Sequence, residues 1–278
     1  MRYSLLFGLI VLTSHISLSQ NSFSSDKEIR KGKWHIYWGW NWAWYGRSDI
    51  NFNVGDSEFT IENTRAKDRQ TDLSLTYINP ARATIPQYNF RIGYYIKENW
   101  DISIGIDHMK YIVRQDQIAR ISGTIANTQT AFDGVYSNDP ITIKEGFIEY
   151  EHTDGLNYIN TSIRHTDRIF EFGKFVIDVK EGAGAGILVP KTRAIILNND
   201  RFDEFHVSGY GVNGTVAATI TFLNTYFVQT EFKGGYMDLP DVRITSDEGD
   251  SANQSFFFTQ LNIAVSYTHL TLPTILLV

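Results

Sequence analysis

The chain has 278 residues, of which 42% are hydrophobic and 20% are charged, a balance that allows one large domain or two modest ones. The formal net charge of −6 argues against a nucleic-acid partner, which would require a basic surface stripe. Because there is no cysteine, disulfides, thiolate metal sites and a lipid-anchored leader are excluded. Nothing in the sequence points to a cofactor.

The N-terminus has the features of a cleaved secretory signal. Arg2 precedes the apolar run LLFGLIVL at 5–12, and small residues lie ahead of Gln20. We assign residues 1–19 to the signal peptide and 20–32 to an N-terminal periplasmic segment. After the signal, no run approaches the roughly 18 apolar residues of a membrane helix, so any membrane span must consist of strands.

The first regular segment, KWHIYWGWNWAWYGR at 33–47, holds five of the six tryptophans at alternate positions. Successive side chains of a strand point to opposite faces, so these indoles share one face. Inside a small soluble barrel, such as a secreted lipocalin-like one, they would overpack the interior. We therefore predict that this face contacts lipid. With one later tryptophan, the predicted lipid-facing belt comprises Trp34, Trp38, Trp40, Trp42, Trp44 and Trp100.

Two later segments each predict a hairpin with a three-residue turn. In YNFRIGYYIKENWDISIGIDHMKYIV, a turn at 97–99 places apolar side chains opposite one another on one face. A turn at 223–225 does the same for the strands on either side of it. The predicted opposite pairs are Phe90–Ile106, Ile92–Ile104, Tyr94–Ile102, Ile96–Trp100, Ile220–Val228 and Phe222–Tyr226.

Further alternating segments at 156–166, 173–189 and 255–267 bring the predicted number of strands to eight. Strict alternation would place Glu181 on the lipid face, so we predict a bulge or an early exit from the membrane there. Short connections alternate with long polar ones, which is typical of outer-membrane barrels. The predicted fold class is therefore all-β: an eight-stranded antiparallel up-and-down transmembrane β-barrel with long extracellular loops, spanning 33–267.

The predicted lumen is narrow and carries charge. An eight-stranded barrel has an interior just wide enough for side chains, so a general diffusion pore is not expected. On the inward faces, Arg91 lies diagonally across from Asp107, and Glu231 and Lys233 add further charge. Buried charges of this kind are expected to form pairs. We interpret them as a structural plug; a proton path or narrow conduit is the alternative.

The chain resembles a family of uncharacterised outer-membrane β-barrel proteins of Bacteroidetes, especially flavobacterial ones. The resemblance covers most of residues 33–265 and rests on GWNWAWYGRSDINF, IPQYNFRIGYYIKENWDISIGIDHMKYIV, YEHTDGLNYIN and DEFHVSGYG…FKGGYMDLPDVR. It implies location in the outer membrane of a Gram-negative bacterium, with no assigned activity. The partners expected there are outer-membrane lipid, lipopolysaccharide and the barrel-assembly machinery, and we expect a monomer.

The end of the chain, SYTHLTLPTILLV, changes character from everything before it. It resembles a tail that translated sequencing-adapter DNA adds to truncated reading frames. Such family barrels end in an aromatic residue, whereas this chain ends in Val278. We therefore treat 268–278 as a non-native tail; a genuine apolar strand end is the alternative.

The most suggestive polar cluster for chemistry is EYEHTDGLNYIN, which contains Glu149, His152 and Asp154. A histidine beside a carboxylate can act as a general base. Small lipid A deacylases look somewhat similar here, but their serine, two residues after the histidine, is replaced by Asp154. We therefore consider two roles for this cluster. It is either a catalytic site that lacks the serine nucleophile or a set of hydrogen-bonded residues at the base of a loop. The acidic loops SNDP, NNDRFDEF and SDEGDS lack calcium-loop spacing, so no metal site is predicted.

Because the lumen is expected to be filled, we expect function to lie in the extracellular loops. The first hypothesis is a non-enzymatic surface protein that serves binding, adhesion or envelope integrity. The alternatives are an envelope lipid-modifying hydrolase that uses His152 and a narrow transporter of small molecules with a lateral opening.

Overall fold

The computed structural model describes residues 30–70, 87–199, 201–223 and 225–270, with backbone only for 267–270. The predicted signal peptide, most of the 20–32 segment and residues 271–278 of the tail lie outside this part of the chain. Fourteen β-strands form one antiparallel sheet among the described residues. No helix in these ranges is long and apolar enough to cross a membrane.

The strands in chain order are β1 Trp34–Tyr45, β2 Ser48–Val54, β3 Ser57–Thr64, β4 Ala66–Lys67, β5 Tyr88–Lys97, β6 Trp100–Val113, β7 Gln117–Ile125, β8 Gly134–Ile143, β9 Ile148–Phe172, β10 Phe175–Ile196, β11 Phe202–Phe205, β12 Gly209–Phe222, β13 Tyr226–Arg243 and β14 Ser251–Leu270. Eight of them close a ring in the order β1-β5-β6-β9-β10-β12-β13-β14, and β14 pairs back with β1. The predicted fold class, an eight-stranded antiparallel up-and-down barrel, is confirmed.

The two predicted hairpin registers are confirmed except at one pair. Ile92 pairs with Ile104 and Ile220 pairs with Val228, as the alternation indicated. The predicted Ile96–Trp100 pair is wrong, because the register shifts next to the turn and Trp100 pairs with Lys97. β14 also continues to Leu270, three residues into the segment assigned to the tail, because backbone hydrogen bonding to β1 tolerates the change of side chains.

No bulge occurs at Glu181, whereas an early exit of the strand from the membrane there stays a prediction. β10 alternates regularly from Phe175 through Glu181, and the nearest irregularity is one extra residue of β9, Ile169, opposite Ile177 and Asp178. The carboxylate faces outward and is accommodated by its cross-strand partner His165, whose Nδ1 lies 2.9 Å from Glu181 Oε1. A polar pair on the outer wall therefore accommodates Glu181 without a bulge.

The long connections predicted as loops contain much of the sheet. β2 follows β1 past the barrel rim and pairs with β14, and β3, β7 and β8 add to it in that order. We call the four strands β2, β3, β7 and β8 the flap, and the end of the barrel that they cover the flap end. The opposite end, where residues 98–99 and 173–174 connect neighbouring strands, is the short-turn end. The alternation in SDINFNVGDSEFTI was the signal that the loop prediction overlooked.

The apolar core lies at the flap end. One face of the flap packs on the ends of the long barrel strands: the ring of Phe52 lies 5.9 Å from that of Tyr150, and the ring of Phe59 lies 6.3 Å from that of Phe147. All four side chains are buried. The flap therefore closes the barrel at this end with apolar packing, whereas the interior below it is polar.

Candidate functional site

The outer wall of the barrel presents an apolar belt. On β1, His35, Tyr37 and Asn41 are buried inside, whereas the tryptophans all lie on the outer face. Trp44 at the flap end is 55% exposed and Trp34 at the short-turn end is 38% exposed, while Trp38, Trp40 and Trp42 between them are partly covered by their neighbours. The remaining barrel strands extend the same surface with exposed aliphatic and aromatic side chains, among them Ile102, Ile104, Ile163, Val212, Val216, Val228, Phe232 and Val265.

Trp100, the sixth predicted belt residue, begins β6 at the short-turn end. Its ring lies 4.9 Å from the imidazole of His165. Ligand atoms of His165, Asp167 and Glu181 lie within 4.8 Å of one another there, which is close enough for them to hold a metal ion. His165 is partly exposed and both carboxylates are exposed, and exposed acidic groups commonly cluster without a metal.

Asp107 is the centre of the ion-pair network in the lumen. Its Oδ2 accepts hydrogen bonds from Lys233 Nζ at 2.6 Å, Asn160 Nδ2 at 2.9 Å and Arg91 Nη2 at 3.2 Å. Glu231, the fourth predicted lumen charge, lies 3.7 Å from Lys233 Nζ. All five side chains are buried, so the structure brings the four predicted charges into one cluster.

A second group in the lumen was missed by the sequence analysis. Arg164 donates to Asp101 Oδ1 at 2.9 Å and to the Tyr37 hydroxyl at 2.9 Å, and it lies 2.9 Å from His35 Nε2. It also lies 3.9 Å from Glu231, which joins the two groups. Strand alternation was the available signal, since Asp101 shares a face with the predicted Asp107. Arg91, Arg164 and Lys233 then balance Asp101, Asp107 and Glu231, as buried ions require.

The three residues of the weak catalytic candidate are not brought together. His152 is fully buried in the core beneath the flap, beyond the apolar belt, where its Nδ1 lies 3.0 Å from Thr192 Oγ1. Burial lowers the pKa of His152 to about 3. Asp154 instead binds Lys191 at 3.0 Å, and Glu149 lies 3.5 Å from Arg193. We predicted His152 at the base of a loop because the sequence pattern does not reveal that β9 already begins at Ile148.

Two clefts open at the flap end among the described residues. One, of about 630 Å³, lies between β2, β13 and β14 and is lined by polar side chains including Arg47, Asp49, Asn63 and Asp238. The other, of about 660 Å³, lies on the outer wall across β6, β9 and β10. Both are surface features, so ligands can enter without passing through the barrel.

No family model and no curated protein matches the chain. Among solved structures it is similar to the attachment invasion locus protein Ail of Yersinia pestis, with 9% identity, a TM-score of 0.32, and 86% of this chain and 99% of that chain covered. It is similar to the outer-membrane protease OmpT of Escherichia coli, with 8% identity, a TM-score of 0.31, and 90% and 99% covered. The toluene transporter TodX of Pseudomonas putida has 8% identity, a TM-score of 0.17, and 85% and 89% covered. These likenesses are too low to assign a role.

Proposed function

We propose that the protein is a monomeric outer-membrane barrel of a Gram-negative bacterium that displays its flap at the cell surface for non-enzymatic binding, adhesion or envelope integrity. The observation that carries this proposal is the combination of an apolar outer wall with a polar, ion-paired interior in the same eight strands. Such inverted polarity stabilises a barrel in a bilayer and not in water. The barrel-assembly machinery would insert it.

The height of the apolar belt supports a barrel that spans the membrane. From Trp34 to Trp44 a strand rises roughly 33 Å, which a tilt near 40° reduces to about 25 Å along the membrane normal. This height equals that of the apolar band of outer-membrane barrels. The two end tryptophans then lie near the interfaces, where indole rings are favoured. Because outer-membrane barrels have short periplasmic turns and longer extracellular connections, we place the short turns in the periplasm and the flap outside.

The closed interior argues against the transporter alternative. The Asp107 and Arg164 groups fill the lumen with buried ion pairs, and the packing of Phe52 and Phe59 closes the flap end. A solute would have to break several of these interactions to pass. We expect planar bilayers containing the protein to show no conductance, and reproducible single-channel steps would favour the conduit instead.

The hydrolase alternative requires His152 to reach a lipid substrate. Its imidazole is fully buried, and its hydrogen-bonding neighbours are Thr192 and Gln254, neither of which is a carboxylate. Mass spectrometry of lipid A from cells with and without the protein tests this alternative. We expect unchanged acyl chains, and the loss of one chain only in cells that carry the protein would support hydrolysis.

The outward face of the flap is the surface best suited to a partner. It carries hydrogen-bonded polar side chains: Asn51 donates to Asn253 Oδ1 at 2.6 Å and accepts from Thr60 Oγ1 at 2.6 Å. The edge strand β8 contains Pro140, which lacks an N–H and blunts strand-to-strand association. A partner is therefore expected to bind the polar face of the flap and not its edge.

Epitope insertion on intact cells tests the proposed orientation. A tag between Gly55 and Asp56, in the tight turn between β2 and β3, is expected to bind antibody on intact cells. The matched control is a tag between Glu98 and Asn99, which is expected to bind antibody only after the outer membrane is permeabilised. The reverse pattern, or a protein found in the soluble periplasmic fraction, would refute the proposal. If the flap tag is exposed, a glycan and matrix-protein array with the purified barrel then identifies its partner.

A further inference from the structure

The cleft on the outer wall combines apolar and charged halves. Ile106, Ile159 and Val189 form part of its lining and share the outward orientation of the neighbouring belt residues on β6, β9 and β10. Lys110 and Lys191 line it farther towards the flap end. In the proposed orientation, the cleft therefore spans the boundary between acyl chains and headgroups in the outer leaflet.

A large bulge in β9 builds one wall of the cleft. Met109 pairs with Leu156 and Tyr111 pairs with His152, so that Thr153, Asp154 and Gly155 stand opposite Lys110 alone. Gly155 has φ +132°, and a Cβ at this position would lie 2.8 Å from His108 Cε1. Glycine is therefore needed both for the backbone conformation and for its close passage over the imidazole. Bulges of this kind commonly redirect side chains at functional positions.

His108 brings an unmet hydrogen-bond acceptor to this cleft. Asn157 Nδ2 donates to the Val189 carbonyl at 3.0 Å, which orients the amide so that its Oδ1 lies 2.8 Å from His108 Nδ1. Nδ1 therefore carries the hydrogen, and Nε2 of the neutral ring is an acceptor. His108 is 5% exposed, and no group among the described residues hydrogen-bonds to this Nε2. Because this Nε2 is itself buried in the cleft wall, a ligand hydroxyl or amide N–H would supply the missing donor once the side chains that cover the imidazole move aside.

The two lysines supply the charge for an anionic group. Lys191 Nζ donates to Asp154 Oδ2 at 3.0 Å and lies 3.4 Å from Asp203 Oδ1, so two carboxylates hold the ammonium at the cleft. An ammonium has three donors, and the third can bind a further acceptor. Lys110 provides a second ammonium in the lining. The nearby carboxylates favour an anion that also brings hydrogen-bond donors, as a sugar headgroup does.

We propose that this cleft binds the headgroup of a phosphorylated glycolipid of the outer leaflet. The phosphate would lie at Lys110 and Lys191, a hydroxyl or amide N–H would donate to His108, and an acyl chain would lie over Ile106 and Ile159. This inference rests on the proposed function, because the cleft meets such a lipid only when the barrel spans the outer membrane.

The test uses the full chain refolded into phosphatidylcholine nanodiscs, with bis-phosphorylated lipid A as the probe and native mass spectrometry as the readout. We expect Lys110→Gln combined with Lys191→Gln to weaken lipid A binding at least tenfold. The control Lys97→Gln, at the exposed short-turn end, is expected to leave binding unchanged. Dephosphorylated lipid A is expected to bind the unmodified protein at least tenfold more weakly. If the double variant does not fold, Lys191→Gln alone carries the test.

Four results would overturn the inference. Equal binding of lipid A by the unmodified protein and a folded lysine variant would show that the lysines do not hold its phosphate. Displacement of lipid A by millimolar inorganic phosphate would make the cleft a simple anion site. Failure of the purified chain to insert into lipid would overturn the proposed function as well, whereas insertion without lipid discrimination overturns only this inference.

Discussion

Replacing Asp107 by asparagine is expected to be among the most damaging conservative changes in the barrel. Asp107 Oδ2 accepts from Lys233 at 2.6 Å and Arg91 at 3.2 Å in a fully buried setting. Asparagine keeps the shape of the side chain but removes the negative charge that both cations contact. Glu231, 3.7 Å from Lys233 Nζ, is then the carboxylate that remains near the ammonium. Removing one partner of a buried ion pair costs about 3–5 kcal/mol, a large share of a typical unfolding free energy of about 5–15 kcal/mol.

The assay is urea unfolding in lipid vesicles, followed by tryptophan fluorescence and by heat-modifiable migration in gels. The matched control is Glu248→Gln. Glu248 has an 88% exposed side chain whose Oε1 lies 3.4 Å from Arg243 Nη2, and loss of this surface ion pair is expected to cost less than about 1 kcal/mol. Adding Lys233→Met to Asp107→Asn is expected to recover part of the loss, because the uncompensated ammonium is removed. A cost for Asp107→Asn no greater than that of the control would refute the lumen network as a stabilising element.

Two further predictions concern the belt and the core beneath the flap. Phe232→Lys, in the middle of β13, is expected to lower the unfolding free energy in vesicles by about 2–4 kcal/mol, whereas Tyr226→Lys, at the short-turn end, is expected to cost about 0–1 kcal/mol. The two side chains are 54% and 56% exposed, so equal costs would contradict a membrane midplane at Phe232. The pKa of His152 is about 3 in the folded protein and 6.5 in an unfolded chain, so between these pH values only the unfolded state binds the proton. The unfolding free energy is therefore expected to fall as the pH drops through this window, by up to about 1.4 kcal/mol per pH unit. His152→Gln is expected to flatten that slope in urea titrations at pH 7, 5 and 4, and an unchanged slope would assign the acid sensitivity to other groups.

The barrel strands could be predicted because their signals are local. Alternation over about ten residues defines which face a side chain occupies, and a short turn defines the pairing of the strands that flank it. Ile92 opposite Ile104 and Phe222 opposite Tyr226 follow from these two facts alone. The error at Ile96 arose where the register shifts beside the turn, which alternation does not reveal.

The parts that escaped prediction depend on contacts between distant residues. Lys233 and Asp107 lie 126 positions apart, and no sequence pattern indicates that they meet across the lumen. The flap strands have ordinary alternation, but their burial depends on packing against β9 and β10, which a single strand does not reveal. Asp154 looked like a partner for His152 because the two are near in sequence, yet the bulge directs it to Lys191.

The most direct test of the account is the position of the β1 indoles relative to lipid. A variant that keeps Trp40 and replaces the other five tryptophans by phenylalanine is reconstituted in vesicles of lipids brominated at defined acyl positions. Quenching of Trp40 fluorescence by bromine within the acyl region, with protection from aqueous iodide, is the predicted result. Quenching by iodide without any effect of the brominated lipids would place this indole in water, and the membrane-spanning barrel would have to be abandoned.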